Sequence, residues 1–449
     1  MSDLLLTHAY CLAEDPRERR IMRPYPPLGI LYLSAYLKKL RFRVEVLDTT
    51  FAHWSEVEQG LRASRAPVVG IYTNLMTRSR ALRLIRLARE AGKSVVVGGP
   101  DASNYPREYL LFGADAVVLG EGEHTLAELL PLLAEKRLEH AVAGAAVRRG
   151  NEILFGPPRP LVPDLDALPW PDREAVCMAR YLAAWRAAHG MGSVSVSTAR
   201  GCPYRCRWCS KAVFGDTFRK RSPERVADEV ADIMERYRPE SIWYVDDVFT
   251  IKPSWLEKYA RELEKRRIRA PFTCITRADR VDARIAWLLS EMGCQQVWLG
   301  SESGSDRLLA AMERGVTAEQ IRQATHLLQR AGIRVGLFVM LGYVGEGLRD
   351  IRETAAHLRR THPDEFLITV AYPIKGTAFY REVADRLKPA RPWEESSDRE
   401  LDFRGRYGRA FYYFATRYVS NAGRAASPIA RLKGWLAAGG MYALAWRRS

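Results

Sequence analysis

Three cysteines stand close together in the stretch RGCPYRCRWCSKAVFG, residues 200–215. Cys202, Cys206 and Cys209 have the spacing C-x-x-x-C-x-x-C. A tetrahedral zinc site takes four protein ligands, commonly as two C-x-x-C pairs, and the fourth cysteine is missing here. Three thiolates on one loop would instead hold three irons of a 4Fe-4S cluster and leave the fourth iron open. The remaining cysteines are expected to be buried thiols without a ligand role: Cys11, Cys177, Cys274 and Cys294.

The composition favours a cytoplasmic protein. The 449 residues suffice for two or three domains, and the apolar content is ordinary for a soluble chain. The N-terminal stretch MSDLLLTHAYCLAED does not resemble a signal peptide, and no apolar run is long enough to span a membrane. Because cytosolic thiols stay reduced, the cysteines are expected to be ligands, nucleophiles or buried thiols rather than disulfides.

The chain is strongly basic, with 69 basic residues against 53 acidic ones and a formal net charge of +16. One interpretation is a set of solvated surface faces, and the other is an anionic partner such as nucleic acid, a lipid surface or an acidic substrate. A non-enzymatic zinc-binding or nucleic-acid-binding protein is therefore a remote alternative. No nucleic-acid-binding motif is recognisable, which disfavours that partner.

Residues 1–140 predict an α/β domain with a doubly wound, Rossmann-like parallel sheet, because five short apolar strands alternate with helices. Ligands of such sheets bind outside the carboxyl ends of the strands. The first helix has no G-x-G-x-x-G motif, which disfavours a nicotinamide or flavin dinucleotide. The candidate residues at the strand ends are Asp48, Thr73, Asn74, Gly98, Gly99, Pro100, Gly120, Glu121 and Gly122.

The chain then changes character twice. Residues 141–192 predict a small hairpin and a proline-rich linker. Residues 193–390 contain six strand–helix units, which predict a parallel barrel or partial barrel with its chemistry at the carboxyl ends of the strands. The three clustered cysteines follow the first of these strands. Its helices are expected near 222–237, 254–267, 283–292, 305–332 and 347–361.

The cysteine spacing, with Trp208 just before the third cysteine, resembles the radical SAM superfamily. The resemblance implies a (β/α)6 partial barrel, a 4Fe-4S cluster on Cys202, Cys206 and Cys209, and S-adenosylmethionine (SAM) at the open iron, where reductive cleavage gives methionine and a 5′-deoxyadenosyl radical. WYVDDVFT, WLGSESGS and FVMLGYVGEG resemble cofactor-contacting stretches, although the family often has Gly-Gly-Glu at the first. The implied SAM-binding residues are Trp208, Asp246, Asp247, Ser301, Glu302, Ser303 and Gly342.

The sheet upstream of this barrel resembles the cobalamin-binding class of the superfamily. RPYPPLGILYLSAYLKK adds Leu28 and Gly29 to the strand-end residues as implied cobalamin-binding positions. The sequence has no D-x-H-x-x-G motif that would supply a histidine ligand to cobalt. Two alternatives therefore remain: the domain binds cobalamin with its lower face unligated, or the domain binds no cobalamin.

The class implies a small-molecule substrate and an electron donor such as flavodoxin or ferredoxin. The chemistry of this class is most often methyl transfer to an unactivated carbon. Lipid-like molecules and tetrapyrroles are among the candidate substrates. The alternative is cyclisation or rearrangement, as in the anaerobic Mg-protoporphyrin monomethyl ester cyclase.

Residues 391–449 form a basic, aromatic and mostly helical extension. From Phe403 to Ser449 there are nine basic residues and no acidic one. One interpretation is an interfacial helix that makes peripheral membrane contact, and the other is a helix that closes the open end of the barrel. The residues behind the first interpretation are Trp435, Leu436, Met441, Leu444 and Trp446, flanked by Arg431, Lys433, Arg447 and Arg448.

Overall fold

The computed structural model describes residues 2–388, 391–424 and 428–446. The chain forms two α/β units, each built on its own sheet. A helical extension follows the second unit. This is the predicted fold class: a Rossmann-like parallel-sheet domain, then a six-stranded parallel domain, then C-terminal helices.

The first sheet has seven strands in the order β2-β1-β3-β4-β5-β6-β7. The first five strands are parallel, whereas β5 pairs antiparallel with β6, and β6 with β7. Successive residues of β1 enter cores on opposite faces, as expected for a sheet covered on both sides. The strands are β1 Leu4–His8, β2 Val44–Leu47, β3 Val68–Tyr72, β4 Ser94–Gly98, β5 Ala116–Val118, β6 Ala145–Arg149 and β7 Glu152–Phe155.

Helices cover both faces of this sheet, which makes it doubly wound as predicted. In α4 the leucine, isoleucine and alanine side chains are buried and most arginines face outward, so its amphipathic pattern fixes its orientation. The helices are α1 Pro16–Ile21, α2 Leu28–Lys39, α3 Trp54–Ala63, α4 Arg78–Glu90, α5 Pro100–Asn104, α6 Pro106–Phe112 and α7 Glu123–Ala134.

The hairpin that we assigned to the linker is part of the first sheet. Ala116, Val117 and Val118 of β5 pair with Val147, Ala146 and Ala145 of β6. The inward side chains of β6 are fully buried, so the hairpin covers the edge of β5 that would otherwise expose unpaired backbone groups. The linker proper therefore begins after β7.

The second sheet has six parallel strands in the order β15-β14-β13-β12-β11-β8. Each of the six strands lies where an apolar run of the sequence predicts it, and each pairs in parallel with its neighbours. A separate antiparallel pair, β9 with β10, stands beside it. The strands are β8 Ser193–Val196, β9 Ala199–Arg200, β10 Arg219–Lys220, β11 Ser241–Tyr244, β12 Phe272–Thr276, β13 Cys294–Glu302, β14 Arg334–Leu341 and β15 Glu365–Val370.

The helix expected over 305–332 is two helices. The break carries Glu313 and Gly315 at positive φ, and Thr317 then caps the second helix in a capping box with Gln320. The break matters for the site because it contains Arg314. The helices are α8 Met178–His189, α9 Pro223–Tyr237, α10 Pro253–Lys265, α11 Ala283–Glu291, α12 Asp306–Ala311, α13 Ala318–Arg330, α14 Leu348–Thr361 and α15 Ala378–Val383.

The C-terminal extension ends in two packed helices, α16 Arg409–Gly423 and α17 Pro428–Trp446. The buried face of α16 joins the core of the second sheet, which agrees with a helix that covers the barrel, and α17 lies against α16. Of the tail residues singled out above, Arg447, Arg448 and the side chain of Trp446 lie outside the described residues. None of the described helices is long and apolar enough to cross a membrane.

One carboxylate of the extension connects both units, and we call its contacts the Asp398 clasp. Asp398 is 2% exposed. It accepts hydrogen bonds from Arg78 Nη2 at 2.9 Å, from the Tyr105 hydroxyl at 2.6 Å and from the Lys375 backbone N–H at 2.8 Å. Arg78 and Tyr105 belong to the first unit and Lys375 follows β15, so the clasp fixes the first unit against the barrel.

Candidate active site

The cysteine loop is closed at its base by a short ladder. Arg200 of β9 lies opposite Arg219 of β10, and residues 201–218 run between them. Gly201 turns the chain with φ of 83°, and a Cβ there would lie 2.2 Å from the Thr217 carbonyl oxygen, so this turn requires glycine. The ladder and the glycine hold the loop at the carboxyl end of β8, where a barrel site is expected.

The three loop cysteines are free thiols, and Cys202 and Cys209 line a cavity. In the described part of the chain, no group of three His, Cys, Asp or Glu side chains is close enough to hold a single metal ion. A cubane cluster spreads its thiolate ligands over several irons, so this donor set fits a 4Fe-4S cluster. Desolvation by the surrounding protein raises the pKa of the Cys202 thiol and of the more accessible Cys209 thiol, so cluster binding must displace protons.

The two neighbouring aspartates after β11 have different surroundings. Asp246 is 2% exposed and accepts bonds from the backbone N–H groups of Thr198 and Ala199 at 2.7 and 3.1 Å, with Lys220 Nζ at 3.5 Å. Its carboxylate therefore supports the start of the cysteine loop. Asp247 opens into the cavity, and burial by the surrounding protein, then the charge of Asp246, raises the pKa of its carboxyl. Asp247 is thus the aspartate available to a ligand ammonium group.

The side chains at the end of β13 alternate between the two faces of the sheet. Ser301 Oγ lies 3.2 Å from His357 Nε2, and Ser303 Oγ lies 3.1 Å from Thr354 Oγ1; both partners belong to α14. These two serines are fully buried on the helix side and do not line the cavity. Glu302 does not line the cavity either, but its carboxylate lies 3.8 Å from Arg314 Nε, beside the cysteine loop.

Glu302 sits in a constrained position at the strand end. Its φ is 59°, and the pairing of β13 with β14 shifts register between Gly300 and Glu302. Burial raises the pKa of its carboxyl to about 7, against the opposing charges of Arg314 and Arg277. A carboxyl that titrates near neutrality at a strand end is a candidate ligand-binding group.

Trp208 and Gly342 contact neighbouring elements of the barrel and the extension rather than the cavity. Trp208 packs against an apolar cluster that includes Tyr343 and Phe379. Gly342 has φ of 81°, and a Cβ there would approach the Tyr412 ring to 3.1 Å. Gly342 therefore lets α16 approach the end of β14, and neither residue lines the cavity.

Two buried arginines contact the cysteine loop, and the sequence patterns did not reveal them. Arg277 follows β12 and Arg314 lies between α12 and α13. Each places an Nη1 atom 3.9 Å from the Cys206 sulfur. The only signals in the sequence are a basic residue directly after a strand, in ITRAD, and an Arg-Gly pair inside a long helical pattern.

The first sheet forms the opposite wall of the cavity, which has a volume of about 830 Å3. A Cβ added to Gly29 would meet nothing within 4 Å, so the wall leaves space for a large ligand at this position. An open cavity with a wall of glycine backbone fits a ligand as large as cobalamin. None of the described histidines lines this cavity. The predicted cobalamin-binding residues that do line it are Leu28, Gly29, Asn74, Gly98, Gly99, Pro100, Gly120, Glu121 and Gly122.

Glu121 has a structural use besides its place on the cavity wall. Its carboxylate accepts from Arg200 and Arg219, each at 2.8 Å, and from the Val162 backbone N–H at 2.7 Å. Burial opposes ionisation, but the bonds from Arg219 and Arg200 hold the pKa of Glu121 below its usual range. Its carboxylate thus joins the first unit to the barrel rather than facing a ligand.

Asp48 and Thr73 do not line the cavity. The Asp48 carboxylate lies 3.0 Å from His8 Nε2 and accepts a hydrogen bond from the Tyr181 hydroxyl at 2.8 Å. Burial opposes ionisation of Asp48, but these contacts, above all the one with His8, lower its pKa to about 2. Thr73 Oγ1 donates to the Gly98 carbonyl at 3.3 Å. Both are side chains that stabilise the strand ends.

The other cysteines fit the prediction with one exception. Cys11, Cys274 and Cys294 are buried, whereas Cys177 is exposed. Cys177 precedes α8 at its first turn, where the side chain points to solvent because the apolar face of the helix begins with Met178. The prediction of a buried thiol was therefore wrong for Cys177.

Comparison with sequence families supports this organisation. The B12 binding domain matches residues 21–130, and the radical SAM superfamily matches residues 196–358. An uncharacterized methyltransferase of Pyrococcus horikoshii is 27% identical over 381 residues, which cover 82% of this chain and 81% of the relative. The anaerobic magnesium-protoporphyrin IX monomethyl ester cyclase of a Synechocystis species is 25% identical over 373 residues, which cover 80% and 73%.

Solved structures show the same fold. The radical S-adenosylmethionine methyltransferase TsrM from Kitasatospora setae, with cobalamin and a 4Fe-4S cluster bound, matches with a TM-score of 0.71 and 22% identity over 86% of this chain and 75% of TsrM. The cobalamin-dependent radical enzyme OxsB, with aqua-cobalamin bound, matches with a TM-score of 0.74 and 20% identity over 93% and 66%. The chain therefore carries a B12-binding domain followed by a radical SAM domain, with the three-cysteine loop facing an open glycine-lined wall.

Proposed function

We propose that this enzyme transfers a methyl group from SAM, by way of cobalamin, to an unactivated carbon of a small molecule. The observation that carries the proposal is the single cavity shared by the two units. Cys202, Cys209 and Asp247 line it from the barrel, and Gly98 and Gly120 line it from the first sheet. Both cofactors would therefore face one space, as a methyl relay requires.

When bound, the cluster supplies the electron that cleaves SAM, and cobalamin supplies the methyl group. The residues of the chain bind and orient these cofactors. The thiolates of Cys202, Cys206 and Cys209 would hold the cluster, Asp247 would accept hydrogen bonds from the SAM ammonium, and Glu302 would accept from the ribose hydroxyls. The electron comes from outside the chain, and we propose a flavodoxin or ferredoxin as donor.

Methyl transfer is tested with SAM that carries a trideuterated methyl group. The protein is reconstituted anaerobically with iron, sulfide and hydroxocobalamin, reduced chemically, and incubated with candidate apolar metabolites. We expect S-adenosylhomocysteine, 5′-deoxyadenosine and a product heavier by the labelled methyl. Bound corrinoid and iron without S-adenosylhomocysteine in any incubation would contradict methyl transfer.

The chain offers matched cysteine variants for this assay. Cys206→Ala removes a proposed ligand, whereas Cys177→Ala removes an exposed cysteine outside the cavity. We expect Cys206→Ala to lose iron and 5′-deoxyadenosine formation, and Cys177→Ala to retain both. Equal iron content in the two variants would contradict the ligand assignment.

Cyclisation is the second candidate, because named cyclases are among the relatives over about four fifths of the chain. The same incubations separate the two reactions. A cyclase would release 5′-deoxyadenosine from SAM without S-adenosylhomocysteine and would leave no labelled methyl in the product.

The outward face of α17 supports peripheral membrane contact as a further part of this function. In its first half the helix packs small residues against α16 and exposes large apolar ones, the reverse of an ordinary surface helix. Met441 is fully buried and Leu444 packs against the core of the second unit, so these two residues of the predicted membrane-facing set are not part of that face. Basic residues flank this face, which suits an anionic bilayer surface. The inward residues are Ala430, Gly434 and Ala437; the outward ones are Ile429, Leu432, Trp435 and Leu436, 58–73% exposed; the flanking cations are Arg431 and Lys433.

Co-sedimentation with vesicles of phosphatidylglycerol and phosphatidylcholine tests this contact. We expect the double variant Trp435→Ser, Leu436→Ser to bind about tenfold more weakly, since each side chain buries apolar area in the interface. Trp287→Ser is the matched control, because Trp287 on α11 is 60% exposed but lies outside this face. Equal pelleting of the double variant and the wild type would contradict membrane contact.

A further inference from the structure

Two guanidinium groups converge on one of the three loop cysteines. Arg277 Nη1 and Arg314 Nη1 each lie 3.9 Å from the Cys206 sulfur. The arginines are 3% and 5% exposed, so both cations are removed from water. They come from different elements, after β12 and after α12. A hydrogen bond joins them, because the Arg277 side chain donates from Nη2 to the Arg314 backbone carbonyl at 2.8 Å.

The charge of Arg277 has a carboxylate partner, whereas that of Arg314 has none at hydrogen-bond distance. Arg277 Nε donates to Asp279 at 2.8 Å. Arg314 Nη2 donates to the Gly300 carbonyl at 2.9 Å, and its Nε has no hydrogen-bond partner in the described structure. Within the described residues, the carboxylate that comes within 4.0 Å of it is Glu302, at 3.8 Å.

A buried cation whose carboxylate partner lies beyond hydrogen-bond distance is only partly compensated, so the position of Arg314 favours further negative charge beside it. An iron-bound thiolate at Cys206 would supply that charge. Two donors that point at one sulfur are also a means of tuning a cluster, since hydrogen bonds to the sulfurs and net charge set its reduction potential. Among the described residues, no arginine donates a hydrogen bond to the sulfur of Cys202 or Cys209, so the effect is confined to one corner.

We propose that Arg277 and Arg314 are positioning residues that fix the Cys206 corner of the cluster and make its reduction easier. The inference rests on the cluster assigned above, not on methyl transfer. Reduction by a low-potential donor adds one electron, hence one negative charge, and no bond forms or breaks in this step. Two nearby cations stabilise that extra charge and raise the reduction potential. Arg314 also lies between Cys206 and Glu302, so one side chain connects the cluster to the proposed ribose-binding carboxylate.

The test is a redox titration of the anaerobically reconstituted protein, followed by electron paramagnetic resonance. We expect Arg277→Gln and Arg314→Gln each to disfavour reduction at least tenfold, a shift of about 59 mV to more negative potential. Iron per chain and the visible spectrum should stay unchanged. Arg205→Gln is the control, since Arg205 is an exposed arginine on the same loop. An unchanged potential in both glutamine variants with intact clusters would overturn the proposal.

A lysine variant keeps the test decisive if Arg314→Gln fails to take up the cluster. Arg314→Lys retains the charge but loses the fork that bonds Gly300. Cluster uptake by the lysine variant alone would support the charge role. Equal loss of iron from both variants, with an unchanged potential in Arg277→Gln, would show a purely structural role and overturn the proposal. The readout needs no substrate, so it stands apart from failure of the methyl-transfer assay.

Discussion

Asp246 and Asp247 are adjacent in sequence, and we expect their asparagine variants to behave in opposite ways. Asp246→Asn removes the negative charge that faces Lys220 Nζ at 3.5 Å, and both side chains are at most 3% exposed. It also replaces one of the oxygens that accept from Thr198 and Ala199 with an amide donor. Breaking a buried ion pair on one side costs about 3–5 kcal/mol.

The lower end of that range applies here because Lys220 is able to lose its proton. Burial already lowers the pKa of Lys220, although Asp246 opposes the shift. A loss of about 3 kcal/mol lowers the melting temperature of a domain of this size by about 6–12 °C. Because Thr198 and Ala199 lead directly into the cysteine loop, the variant should also incorporate less iron.

Anaerobic scanning calorimetry of the cofactor-free protein measures the barrel transition directly. Asp247→Asn is the matched control, since Asp247 opens into the cavity and its ionisation is already disfavoured by burial. We expect it to melt at or slightly above the wild-type temperature and to bind SAM more weakly. If Asp246→Asn melts with the wild type, or if both variants melt equally low, the division of roles between the two aspartates is refuted.

Three further outcomes follow from the site and the clasp. SAM affinity, measured by equilibrium dialysis, should rise as pH increases through about 7, because an ionised Glu302 accepts hydrogen bonds from hydroxyl groups better. The SAM affinity of Glu302→Gln should not change across this range, and a parallel rise in this variant would refute the assignment. Gly99→Ala should lower corrinoid per chain without loss of iron, since its Cβ would lie 2.4 Å from the Thr73 carbonyl oxygen at φ of 104°; an unchanged corrinoid content would contradict this. Arg78→Met leaves Asp101 and Asp398 buried without their cation, so the free energy of unfolding should fall by about 3–5 kcal/mol in urea titrations, and a fall below 1 kcal/mol would contradict it.

Local patterns predicted the strands and much of the cysteine loop. The apolar runs of the six strands in the second sheet are continuous and flanked by turn residues, so their positions followed from hydrophobicity alone. The same reasoning had no means to orient WLGSESGS. A motif read as a string groups Ser301, Glu302 and Ser303, whereas the two-residue period of a strand separates the serines from the carboxylate.

Long-range partners were not predictable from one sequence. Arg277 and Arg314 reach Cys206 across separations of 71 and 108 residues, and nothing local marks either as a neighbour of a cysteine. Glu121 has a strand-end position typical of a ligand-binding residue, but tertiary contacts with Arg200 and Arg219 determine its role. The hairpin joined the first sheet for a similar reason, because an exposed strand edge accepts any suitable neighbour.

The Asp398 clasp gives the protein a defined order of assembly during synthesis. Asp398 lies 320 residues after Arg78, so a ribosome that adds 5–20 residues per second makes it roughly 16–64 s later. Both sheets, and with them both walls of the cavity, are already synthesised when the closing carboxylate leaves the exit tunnel. The contacts of Glu121 with Arg200 and Arg219 can join the two walls at that stage, so the clasp adds a later fastening to a cavity that is already outlined.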